Sequence, residues 1–184
     1  MPRSAEDAAA VAELQARNAA MHSEASIRYG REFAPRASDV FVATYPKCGT
    51  TWVQAILHAL RGGSQDFEEI TQVAPWDVVA FDCGQDLTAE QEGAFRVFKS
   101  HEGWPAIAKG AKYVYVVRRP DDAFLSFYNF LPQYCHVGAL SVETFAEAIF
   151  DGMSHSGGMW KHFSGWLDAA VTEPETVLVI SFEA

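Results

Sequence analysis

The sequence has few cysteines, little positive charge and no long uninterrupted apolar run. Cys48, Cys83 and Cys135 form no CxxC pair and leave an odd count, which argues against a disulfide framework and for a reducing compartment, so a cytoplasmic location is expected. The chain has 14 basic residues against 24 acidic ones, a formal charge of −10. That balance argues against nucleic acid or an anionic membrane as partner, and any anion site must be small and focused. No stretch approaches the roughly 18 apolar residues that a membrane span requires. The amino terminus, MPRSAEDAAAVAELQARNAA, carries acidic residues inside its apolar patch, so neither a signal peptide nor an anchor is expected. HxxxH, paired cysteines and acidic groups with ligand spacing are all missing, and no metal is expected.

What is there suits one globular domain. Of 184 residues 49% are hydrophobic, and a chain of this length can bury about 70% of its unfolded surface. Residues 5–30 read as one alanine-rich surface helix with Ser4 as N-cap, so that residues 1–35 form an amino-terminal helical segment ahead of an α/β domain over 36–184. From Asp39 onward the pattern alternates. VFVAT (40–44) is followed by a helix with Val53, Ile56, Leu57 and Leu60 on its apolar face and Gly62-Gly63 at its end. AFRVF (94–98), YVYVV (113–117) and TVLVIS (176–181) read as further strands, with Pro120 opening the helix after the third. Strands alternating with helices predict a parallel, doubly wound α/β sheet in a single domain. Residues 62–93 and 132–158 are expected to be loop-rich and to cover a pocket.

Three clusters carry chemistry. TYPKCGTTW (44–52) pinches a lysine, a glycine and two threonines between a strand and a helix, where unpaired N–H groups and a positive dipole end suit an anion. Lys47 would add charge, Gly49 close backbone approach, Thr50 and Thr51 hydroxyls. The lysine precedes the glycine, unlike GxxxxGK[ST], so Mg-ATP is not the suggested ligand. A plain strand-to-helix turn with a solvated lysine remains the alternative. In VVRRPDDAFLSFYNF (116–130), Arg118 ends a strand on the same sheet edge and Ser126 lies about two helical turns on. Both can reach one anionic group, or Arg118 can pair with Asp121 or Asp122. In FKSHEGW (98–104), Lys99 and His101 end another strand; His101 suits a general base, or a structural role.

In this order and at these separations, TYPKxGTTW, the strand-end K-[ST]-H and the R-x7-S segment resemble the cytosolic sulfotransferases, which use 3'-phosphoadenosine 5'-phosphosulfate (PAPS). WKHFSGWLD and VLVISFEA are similar to the family's later helix and strand, so the resemblance covers roughly 36–184. It implies a P-loop-like sheet and sulfuryl transfer to a hydroxyl or amine, with no metal. Lys47, Cys48, Gly49, Thr50 and Thr51 would hold the 5'-phosphosulfate, Trp52 would stack on adenine, and Arg118 with Ser126 would hold the 3'-phosphate. His101 would be the base and Lys99 the second active-site lysine. Trp76, Phe81, Tyr134, Phe145 and His162 fall where similar proteins form an acceptor pocket, which implies a small hydrophobic or aromatic acceptor. Cys48 stands where many members have serine, and its place at a helix N-terminus is expected to acidify the thiol. Relative to the family pattern the C-terminal third is missing, including an R-K-G segment over the 3'-phosphate and a dimer contact. The alternatives are therefore an impaired or inactive homologue that binds PAPS or its bisphosphate product, and a kinase-like phosphoryl transferase. A homo-oligomer is a possible assembly.

Overall fold

The computed structural model describes residues 5–138, 140–147 and 157–183. Its elements, in chain order, are α1 (Ala5–Ala19), α2 (Glu24–Glu32), β1 (Val40–Thr44), α3 (Thr50–Leu60), α4 (Ile70–Val73), β2 (Val97–Ser100), β3 (Lys112–Val117), α5 (Pro120–Tyr134), α6 (Val142–Phe145), α7 (Met159–Thr172) and β4 (Val177–Ser181). The four strands form one parallel sheet in the order β2-β1-β3-β4. Among the described residues no helix is long and apolar enough to cross a membrane.

Strand alternation sorts the core into two layers. Phe41 and Ala43 of β1, Phe98 of β2 and Tyr113 and Tyr115 of β3 pack with Trp166 and Ala169 of α7. On the other face Val42, Val97 and Val116 pack with Val53 of α3. A buried ion pair pins the start of the sheet: Arg96 donates to Asp39 through Nε at 2.9 Å and Nη2 at 2.6 Å. Such a two-pronged pair fixes geometry as well as charge, which suits the residue before β1 and the one before β2.

Three expectations shift. The amino-terminal helix is two helices, because Ser23 caps α2 by accepting from the Ser26 amide at 3.0 Å, which starts a new helix instead of continuing the first. The proposed cap Ser4 lies outside the described residues. β2 begins at Val97 rather than Ala94, since Gly93 turns at φ 103° and the Ala94 amide bonds Arg61 O instead of a strand. The buried face of α3 is also rotated. Val53 is buried, but Ile56 and Leu60 are 44% and 72% exposed, and Gln54 and His58 are inside. His58 is tolerated there because both ring nitrogens are bonded, to Ser64 O and the Arg61 guanidinium, and Gln54 donates from Nε2 to Ala74 O at 3.0 Å while its Oε1 finds no partner among the described residues. The two regions expected as loops hold α4, a 3-10 turn over Asp77–Val79, and α6, and α5 runs on through Pro132. Residues 139 and 148–156 of the second region lie outside the described residues.

Candidate active site

Parallel strands in register deliver their following residues to one edge. Ala43 pairs with Ser100, Thr44 with Val116, and Val117 with Ser181, so the loop after β1, His101 after β2 and Arg118 after β3 all leave the same side of the sheet. The loop enters α3 through two left-handed residues, Lys47 at φ 69° and Gly49 at φ 96°. For lysine that conformation costs on the order of 1–3 kcal/mol. Arg118 helps hold it, donating from Nη1 to the Lys47 carbonyl at 2.8 Å. Gly49 is the N-cap and supplies no side-chain acceptor, so the positive end of α3 stays open to an external anion.

Around this turn stand three cations. Burial holds the Lys47 ammonium below its ordinary range and nearby Arg118 lowers it further; the ammonium lies 3.8 Å from the centre of the Phe130 ring. Lys99 lies 3.7 Å from the Trp76 ring centre. Burial pushes it down to about 8, the Asp77 carboxylate opposes that, and Lys47 adds to it. Arg118 rests 4.6 Å from the Phe182 ring centre, and its buried Nε has no hydrogen-bond partner among the described residues. Among the described residues none of the three forms an ion pair within 4.0 Å. The alternative pairing of Arg118 with Asp121 or Asp122 does not form; Arg119 takes both carboxylates.

His101 is buried beside the turn, with Trp76 edge-on at 5.1 Å. Its Nδ1 is 2.9 Å from Thr44 O. A carbonyl can only accept, so Nδ1 carries a proton, and in the neutral ring the lone pair a general base needs is on Nε2. Cys48 is fully buried with its thiol 3.9 Å from Pro46 O. The expected acidification is reversed: burial raises the thiol to about 12, outweighing the opposing charge of Arg118. Thr50 is buried and bonded to Thr44, whereas Thr51 and Trp52 are exposed on the first turn, Trp52 edge-on to Phe182 at 5.5 Å. Ser126 lines an open cavity of about 570 Å³ with Asn129, Phe130, Gln133 and Tyr134.

The five acceptor candidates separate. Trp76 touches Lys99 and His101. Tyr134 stacks on Phe130 at 5.0 Å and so joins the Lys47 side. His162 is 2% exposed, its Nδ1 2.9 Å from the Tyr115 hydroxyl and its Nε2 3.2 Å from His101 O. Phe81 is exposed and tilted against Tyr29 of α2. Phe145 has no exposed surface; it packs among Phe124, Phe127 and Tyr128 and has no area left for a ligand. Thr44, Phe130 and Phe182 were not singled out from sequence. Thr44 is the polar end of an apolar strand and Phe182 a lone aromatic just after one, signals that register and packing alone make meaningful.

A family model described as "Sulfotransferase domain" matches residues 37–184. Flavonol 3-sulfotransferase of Flaveria bidentis is 31% identical over 169 residues, covering 82% of this chain and 53% of its own length. Cytosolic sulfotransferase 8 of Arabidopsis thaliana is 26% identical over 176 residues, covering 87% and 53%. The chain thus spans about half the length of these relatives. The crystal structure of mouse sulfotransferase SULT7A1 complexed with PAP superposes with a TM-score of 0.66 at 19% identity, over 89% of this chain and 58% of that one, and supports the fold.

Proposed function

The chain belongs to the sulfotransferase domain family, and on that premise we propose that it transfers a sulfuryl group from PAPS to a hydroxyl or amine of a small hydrophobic or aromatic acceptor. One observation carries this reading: in a chain of net charge −10, Lys47, Lys99 and Arg118 gather at the open N-terminus of α3 with no ion pair within 4.0 Å among the described residues, next to a histidine that carries a proton on Nδ1. An acidic protein keeps such a cluster free of close ion pairs when the counter-charge arrives with a ligand. A donor with anionic groups at both ends of an adenosine fits cations spread from Lys47 to Arg118, and the unpartnered Nε of Arg118 is a donor awaiting an acceptor.

By analogy with phosphoryl transfer, in-line passage of a sulfuryl group asks for positioning and charge stabilisation rather than covalent help. Lys47 and the first-turn amides of α3 take the charge that grows on the departing 5'-phosphate. His101 Nε2 removes the acceptor proton as its oxygen or nitrogen attacks sulfur. Arg118 and Ser126 read the 3'-phosphate and thereby discriminate against ATP, and Trp52 offers an exposed ring to adenine. Trp76, Phe130 and Tyr134 supply the apolar wall for the acceptor.

The test is calorimetric titration of the chain with adenosine 3',5'-bisphosphate, in parallel with Mg-ATP and with Arg118→Ala. Micromolar or tighter binding that disappears in Arg118→Ala and is absent for Mg-ATP is expected. A folded chain that ignores the bisphosphate, or binds Mg-ATP as well, overturns the reading. Lys99 sets the alkaline limit of activity. Its depressed value means that it is cationic below about pH 8 and neutral above. Since the charged form is the useful one, kcat/KM for sulfation of a simple phenol such as 2-naphthol falls as pH rises through 8 in the wild type. Lys99→Arg, which stays charged, loses that limb. An identical alkaline limb in both proteins assigns it to another group.

A further inference from the structure

Thr44 sits where β1 and β2 let go of each other. Ala43 pairs with Ser100, so the next residue on each strand, Thr44 and His101, are neighbours across the ladder. Thr44 is fully buried, and it meets His101 twice: its carbonyl oxygen is 2.9 Å from Nδ1 and its Oγ1 is 3.2 Å from the same nitrogen. On its other side Oγ1 is 2.6 Å from Thr50 Oγ1, the first residue of α3. Alternation along β1 explains the second contact, because Thr44 points to the same side as Val42, the face that α3 covers.

The direction of these bonds follows from the carbonyl. The Nδ1 proton is directed at Thr44 O and shared with Thr44 Oγ1, which makes that hydroxyl an acceptor from the ring. Its own O–H is then left to donate to Thr50 Oγ1, which leaves the proton of Thr50, the first residue of α3, for another acceptor. A buried chain of this kind polarises cooperatively, so a change at one end is felt at the other.

We infer that Thr44 is a positioning residue that couples the filling of the anion cradle to the state of the base, through the path Thr50 Oγ1, Thr44 Oγ1, His101 Nδ1. The inference rests on the sulfotransferase reading of the same site. An anion that accepts from Thr50 strengthens the bond from Thr44 to Thr50. Thr44 Oγ1 then accepts more strongly from Nδ1–H, which favours the tautomer with the lone pair on Nε2. The base is thereby set in its working form when the donor is present.

The experiment follows the His101 imidazole by 15N NMR in histidine-labelled chain, with and without saturating adenosine 3',5'-bisphosphate, while calorimetry measures binding on the same samples. Wild type, Thr44→Val and Thr44→Ser are compared; valine keeps the shape and the main-chain carbonyl but removes the hydroxyl. The bisphosphate is expected to move the His101 Nδ1 and Nε2 resonances further toward the tautomer protonated at Nδ1 in the wild type and in Thr44→Ser. In Thr44→Val that movement is lost, with affinity within about threefold of wild type; a merely structural role for Thr44 would not restrict the loss to the liganded histidine signal. Equal movement in Thr44→Val, or none in a wild-type chain that binds, overturns the coupling and leaves the sulfotransferase reading standing. Failure of the folded wild type to bind the bisphosphate overturns that reading, and the coupling with it.

Discussion

Replacing His101 with alanine is expected to lower sulfuryl transfer by about 10²–10⁴-fold, the usual contribution of a positioned general base, while adenosine 3',5'-bisphosphate still binds. The separation of these two effects follows from geometry. The phosphate-facing groups, Lys47, Arg118 and the first turn of α3, hang on the β1–α3 turn and on β3, and the bond from Arg118 to the Lys47 carbonyl does not involve His101. The ring of His101 meets Thr44 through its carbonyl and its hydroxyl, and Trp76 edge-on. Its loss removes the lone pair at Nε2 without opening the cradle. Steady-state turnover of 2-naphthol, calorimetry with the bisphosphate and a melting curve distinguish the outcomes. Collapse of rate, binding and melting temperature together would mark His101 as structural. Turnover within a few-fold of wild type would remove it as the base. Added imidazole, small enough to enter the space left by the ring, is expected to restore part of the lost rate in the alanine variant alone.

The cluster that supports this prediction was readable from sequence to a definable depth. His101 and Arg118 follow their strands directly, Lys47 and Gly49 lie in the turn that leaves β1, and parallel strands in an open sheet present such residues at one edge whatever their distance in the chain. A strand-end motif therefore carries its three-dimensional meaning with it, and the parallel sheet was legible for the same reason. What escaped depends on register and on satisfied burial. Thr44 matters because Ala43 lies opposite Ser100, a pairing that no local pattern specifies. α3 was read by its aliphatic spacing, yet Gln54 and His58 take the buried face because each finds a partner, and a hydrophobicity pattern cannot see a hydrogen bond. Cys48 shows the same limit in electrostatics. Its place at a helix start argues for an acidified thiol, but the side chain turns inward beside Tyr45 and Met159, and desolvation decides. Phe145 falls in the acceptor region by position and in a packing cluster by contact, since the aromatic rings of α5 surround it.

Gly49→Ala is expected to cost both stability and donor binding, through two penalties that an experiment can separate. At φ 96° an alanine is strained in any surroundings, by about 1–2 kcal/mol. A Cβ there would also stand 2.4 Å from Cδ2 and 2.8 Å from Cε2 of Phe182, so the ring must move. Phe182 is not a passive neighbour. Its amide extends the β3–β4 ladder by donating to Val117 O at 2.9 Å, and its ring supports the Arg118 guanidinium and meets Trp52 edge-on. Moving that ring disturbs the group proposed for the 3'-phosphate and the one proposed for adenine at once. Bisphosphate affinity should drop at least tenfold, and the melting temperature by several degrees, at the roughly 2–4 °C per kcal/mol expected for a chain of this size. Phe182→Ala removes the ring and with it the steric part, leaving only the backbone part at position 49. The double variant should therefore melt higher than the sum of the two single losses predicts. Strict additivity would mean that Phe182 does not oppose a side chain at position 49, and the tie between the cradle and β4 would then have to be given up.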